Sequence, residues 1–296
     1  MTDKFKDHLN TNDILVFIYI AIQITLVIIF GGLFRKYLLL FYLVFALLAG
    51  VMILFSRPDK PSLLHLIKSV YPLILIYFFY RVIGIQNDLL NFGYHDAVLY
   101  GLEKSILGIY PSFALQQVME IWLNEISYLF YCLGLIMPIW ALIKLYQKKH
   151  LKYFENFILA IEIGCFVCLI IASVYPVRGP ASALNAYYYL SILGPFFSII
   201  VPPLMTIITP GNGSFPAIYL CLIILSAYYL WDFGKAYIIL SFIFITGVFW
   251  GGVYLRYHYL ADGLMAFLIA FLASIAAGIV FYAKHGAPDN LDNSDA

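Results

Sequence analysis

The sequence predicts an all-α membrane protein, a polytopic bundle of about eight transmembrane helices with interfacial helices between some of them. Three observations carry that expectation. Hydrophobic residues make up 64% of the 296-residue chain and charged residues only 11%, against roughly 25% charged in soluble domains. The apolar residues gather in runs of about 20, the length a helix needs to cross the hydrocarbon core. Between the runs stand short clusters of charge, proline and glycine, which end helices and sit in water.

Residues 1–12 form a short polar tail. Apolar runs at 13–34 and 37–55, parted by Arg35 and Lys36, are the first two spans. The first run starts late and is long enough to cross, so it is expected to be a retained helix, not a cleaved signal. A water-exposed loop with Arg57, Pro58, Asp59, Lys60 and Pro61 follows, then a third span at 63–84. From 85 to 125, acidic residues including Asp88, Asp96, Glu103 and Glu125 interrupt apolar positions at helical spacing, the pattern of helices that lie in the interface.

The fourth span, 126–145, ends in the densest basic loop of the chain, with Lys144, Lys148, Lys149 and Lys152; the fifth is 154–175. A rigid turn carrying Arg178 comes next. Residues 184–209 are apolar but broken by Pro195, Pro202 and Pro203, hence expected to be interfacial or re-entrant. After the loop Pro210-Gly211-Asn212-Gly213-Ser214 come spans at 215–231, 236–255 and 259–283, and a tail expected to be disordered. The chain thus divides into an N-terminal tail with two extra spans (1–62), a membrane core (63–284) and the tail (285–296).

Eight spans put both termini on one side. With that side cytoplasmic, eleven of the 17 basic residues face inward, among them Lys144, Lys148, Lys149 and Lys152. The Arg178 turn, the Ser214 loop and the stretch around His258 then emerge together on the extracytoplasmic face. Three polar breaks at one surface suit the head group of an amphiphile whose tail stays in lipid.

Composition excludes some partners and chemistries. A net charge of +1 gives no electrostatic basis for nucleic-acid binding. Cys132, Cys165, Cys168 and Cys221 all lie inside apolar runs, where packing, not a disulfide or a metal site, is expected. Glu162 lies deep in the fifth span, which invites either a proton path or a hydrogen-bonded carboxyl buried in the bundle.

Chemistry concentrates at Arg256-Tyr257-His258-Tyr259-Leu260-Ala261-Asp262. At helical spacing His258 and Asp262 stand one turn apart, so the carboxylate can accept a proton from one imidazole nitrogen. The other nitrogen is left with its lone pair, the state a histidine needs to attack phosphorus. The alternative is that both residues merely cap the mouth of a membrane helix.

The run from Val253 to Asp262 resembles the last motif of the type 2 phosphatidic acid phosphatase superfamily, in its inositol phosphorylceramide synthase-like branch. Ser214-Phe215-Pro216 resembles the start of that branch's middle motif, and Tyr175-Pro176-Val177-Arg178-Gly179-Pro180 its first. His95-Asp96, Glu103 and residues 108–111 resemble its pre-core segment. The resemblance implies a phosphatase or phosphotransferase acting on a phosphorylated lipid head group, with His258 forming a phosphohistidine and Asp262 orienting it. It implies no metal and no cofactor.

Departures from the motifs bear on activity. Tyr219 stands where the middle motif has the histidine that protonates the leaving oxygen. A tyrosine can donate a proton but supplies no positive charge. Ala181 replaces an arginine of the first motif, and Gly252 an arginine six residues before the nucleophile. Arg178, Arg256 and Ser214 are then the expected phosphate-binding groups, with Tyr219 as the candidate acid. The competing expectations are a catalytically inactive relative that binds lipid head groups or a membrane partner and, resting on Glu162, a transporter.

Overall fold

The computed structural model describes residues 10–31, 35–54, 62–90, 92–147, 151–209 and 213–285, and every regular element among them is helical. The expected N-terminal tail up to residue 9, the 55–61 loop, the basic cluster at 148–150, the 210–212 turn and the tail from 286 lie outside the described residues. The helices are α1 (Thr11–Leu26, continued by a π-helical turn Val27–Gly31), α2 (Lys36–Ile53), α3 (Leu63–Leu90), α4 (Asp96–Leu107), α5 (Ile121–Leu133), α6 (Ile136–Gln147), α7 (Leu151–Val174), α8 (Phe197–Ile208), α9 (Ile218–Leu230), α10 (Lys235–Tyr254) and α11 (Leu260–His285). Among the described residues, seven stretches are long and apolar enough to cross a membrane: α1 with its π turn, α2, α3, α5 with α6, α7, α10 and α11. The chain is an integral, multi-pass membrane protein.

The sixth expected span is α9, which with the 3₁₀ turn after it covers only Ile218–Phe233 and falls short of that length. It starts late because residues 214–217 stay non-helical and bend into the α10–α11 junction, where the Ala217 N–H donates to the Asp262 carbonyl at 3.2 Å. Between the third and fourth spans, where interfacial helices are expected, the chain forms α4 and two single turns at Pro111–Ala114 and Leu115–Val118. α8 is helical through both Pro202 and Pro203.

α7 is the central post, packed against α1, α3, α6, α9 and α11. Lipid tails are as apolar as leucine, so helices associate in a membrane through close packing and polar contacts. Both are visible here. On α11 the buried Ala266, Ala270, Ala273 and Ala277 follow helical spacing. Opposite them, a Cβ on Gly164 of α7 would stand 2.9 Å from Leu225 Cδ1 and 3.4 Å from Ala273 Cβ. Cys165, Cys168 and Cys221 fill the same core as free thiols.

Polar rungs dock α1 and α2 on the core. Asn12 Nδ2 donates to Glu162 Oε1 at 2.8 Å, so Glu162 is a hydrogen-bonded carboxyl inside the bundle. Further along, Gln23 Nε2 donates to Ser173 Oγ (2.9 Å), Gln86 Nε2 to Gln23 Oε1 (2.8 Å) and Tyr42 OH to Gln86 Oε1 (2.6 Å). Four helices are thereby registered by one buried chain of hydrogen bonds. With no water to replace a lost partner, sliding any of them would orphan several polar groups.

Candidate active site

At one end of the bundle the three polar breaks are stitched together by backbone hydrogen bonds. The Gly213 and Ser214 N–H groups both donate to the Val177 carbonyl at 2.9 Å, and Ala181 N–H donates to the Arg256 carbonyl at 2.8 Å. The turn at Gly179 fits only glycine: its φ of +92° and ψ of 161° suit no other residue well, and a Cβ there would lie 2.7 Å from the Tyr257 carbonyl oxygen.

α4 straps this assembly from outside. The buried Asp96 carboxylate accepts from the N–H groups of Arg178 (3.1 Å) and Gly179 (3.0 Å) and from the Tyr259 hydroxyl (3.0 Å), tying the first turn to the last motif. Glu103 Oε1 accepts from Leu260 N–H at 2.5 Å, at the start of α11, where a carboxylate faces the positive end of the helix dipole. Burial pushes the Glu103 carboxyl up to about 7, outweighing those backbone donors.

His258 lies just before α11, and Asp262 occupies its first turn. The Asp262 side chain is fully buried; its Oδ2 accepts from Tyr259 N–H at 2.9 Å and faces His258 Nδ1 at 3.3 Å. Nδ1 also faces the Ser214 carbonyl at 3.1 Å. Both neighbours are acceptors, so Nδ1 carries the proton and the lone pair of the neutral ring is on Nε2. That nitrogen lies 3.2 Å from the Tyr131 hydroxyl, which donates to it.

A cavity of about 500 Å³ opens on this group, lined by His258, Ser214, Arg178, Ala181, Arg256, Tyr131, Arg81, Asp88, Thr206 and Thr209 among others. Of the expected residues it therefore gathers His258, Ser214, Arg178 and Arg256. The Arg178 guanidinium lies 3.9 Å above the Tyr94 ring. The Tyr94 hydroxyl donates to Asp88; burial and that carboxylate push it up to about 12, so it keeps its proton.

Two of the expected residues have polar ends engaged by other parts of the fold. Tyr219 does not line this cavity: it is buried, and its hydroxyl donates to the Tyr131 carbonyl at 2.6 Å. Instead it borders a crevice of about 10 Å³ together with Gly252, Tyr131 and His258. A hydroxyl so committed is badly placed to protonate a leaving group in the larger cavity. Arg256 borders the cavity; its Nη2 donates to the Leu190 carbonyl at 2.8 Å, its guanidinium lies 3.8 Å above the Tyr188 ring, and its Nε is buried without a hydrogen-bond partner. It anchors the 184–196 segment from a left-handed backbone conformation at φ 66°.

Sequence reasoning missed Arg81 and Tyr131. Arg81 projects from α3 and donates to the carbonyls of Thr206 (3.0 Å) and Thr209 at the end of α8. An arginine inside an apolar span was a readable signal of function. Tyr131 is one of 25 tyrosines in an aromatic-rich chain, and nothing in the sequence set it apart. Among the described residues no cluster of three or more histidine, cysteine, aspartate or glutamate side chains gathers as a metal site. No family model, no curated protein and no solved structure matches the chain.

Proposed function

We propose that this chain is a membrane enzyme that hydrolyses or transfers a phosphate ester on a lipid through a phosphohistidine at His258. One observation carries the reading: an imidazole whose Nδ1 faces Asp262 and the Ser214 carbonyl borders a cavity that is also lined by Arg178 and Arg81. The buried carboxylate fixes the tautomer and stabilises the cation formed when Nε2 attacks phosphorus. The two guanidinium groups supply positive charge for phosphoryl oxygens, in place of the motif arginines absent at Ala181 and Gly252. The resemblance of the three motifs points to the same reaction. With α9 counted as an eighth span, the distribution of basic residues supports a head-group site on the extracytoplasmic face and cytoplasmic termini.

The test is turnover by the full-length protein in proteoliposomes offered a panel of lipid phosphates. His258→Ala is expected to abolish release or transfer of phosphate, and turnover that survives the substitution ends the proposal.

A second reading, a binding protein for phosphorylated head groups without catalysis, is favoured by the Tyr219 hydroxyl being committed to Tyr131 and by Ala181 in the cavity wall. It expects saturable lipid binding with no turnover in the wild type, and turnover gained by Tyr219→His combined with Ala181→Arg.

A further inference from the structure

Tyr131 belongs to none of the motifs, yet it alone of the described side chains hydrogen-bonds to the reactive nitrogen of His258. It is held there firmly. Its ring is 2% exposed and lies against Tyr219 and Tyr257 at centroid distances of 5.2 and 4.9 Å, and its backbone carbonyl takes the Tyr219 hydroxyl. Those contacts position the hydroxyl beside Nε2.

In-line transfer onto Nε2 forms the N–P bond while the opposite P–O bond breaks, and charge spreads over three equatorial oxygens. The leaving oxygen lies on the far side of phosphorus, beyond the reach of a donor about 3 Å from Nε2. Beside the attack axis, that same donor meets an equatorial oxygen. We propose that the Tyr131 hydroxyl caps the Nε2 lone pair in the empty site and passes its hydrogen bond to an equatorial phosphoryl oxygen as the N–P bond forms. Tyr131 keeps its proton throughout. The leaving alkoxide takes a proton from water, and water later cleaves the N–P bond to give phosphate and free His258. This role rests on the phosphohistidine reading and assigns Tyr131 as a catalytic residue for a phosphoryl group of any ester, bound through the oxygens all such substrates share.

Orthovanadate, which forms five-coordinate adducts resembling the transition state, and inorganic phosphate, which does not, separate the possibilities. Binding of each to the full-length protein in detergent is measured for the wild type, Tyr131→Phe and His258→Ala. Tyr131→Phe keeps the packed ring and is expected to weaken vanadate binding by about 10-fold to 100-fold, with phosphate changed by less than about threefold. Replacing Tyr131 by 3-fluorotyrosine, a stronger donor of the same shape, is expected to tighten vanadate binding. Vanadate affinity unchanged in Tyr131→Phe but lost in His258→Ala overturns the role of Tyr131 and leaves the phosphohistidine reading standing. Equal vanadate affinity in the wild type and His258→Ala, or no binding by either, overturns both.

Discussion

Replacing Asp96 by alanine is expected to dismantle the candidate site without touching any residue that faces its cavity. Its carboxylate takes the Arg178 and Gly179 N–H groups and the Tyr259 hydroxyl, at 3.1, 3.0 and 3.0 Å. Alanine leaves three donors without an acceptor where Asp96 is now buried. Each such donor costs about 1–3 kcal/mol, and the hydroxyl can turn to another acceptor, so the two N–H groups left bring the loss to about 2–6 kcal/mol. At about 2–4 °C per kcal/mol for a large domain, the thermal midpoint of the detergent-solubilised protein should fall by on the order of 10 °C. Asp96→Asn keeps an acceptor oxygen and should lose roughly half as much. The assay is thermal unfolding followed by intrinsic fluorescence, for which the four tryptophans suffice. An Asp96→Ala midpoint within about 2 °C of wild type would refute the claim that α4 holds the site together.

Glu103 gives a pH signature. Its carboxyl is raised from 4.5 to about 7 in the fold, so folding favours the protonated form. The stability this contributes is complete below about 4.5 and is lost as pH rises through about 7. The wild-type midpoint should therefore decline across that window, and Glu103→Gln should flatten the decline; an equally steep profile in the variant counts against the assignment. Gly179→Ala should cost about 1–3 kcal/mol from backbone conformation alone, with more from the contact against the Tyr257 carbonyl. Unfolding measurements on that variant would show no loss if the turn can relax. Arg178→Ala should weaken inorganic phosphate binding by about tenfold, equivalent to about 1.4 kcal/mol, and unaltered binding in a titration would remove Arg178 from the site.

Much was determined by the sequence alone. The apolar runs fix the helical membrane class because backbone polar groups have no partner in lipid except along a helix. The His258–Asp262 pairing was legible because i and i+4 meet across one helical turn, and it persists even though the helix begins only at Leu260. Asp96 and Glu103 were visible as acidic residues in an interfacial stretch, although not what they hold. Tertiary structure alone decided the rest. Tyr219, Arg256, Arg81 and Tyr131 each carry a polar end on a long apolar or flexible stem, and sequence cannot say which acceptor that end will find. The nearest partners are far away in the chain: Tyr219 with the Tyr131 carbonyl, Arg256 with Leu190, Arg81 with Thr206, and Tyr131 with His258. Helix packing set those distances, and once a buried donor has an acceptor, the cost of leaving it unpaired keeps it there.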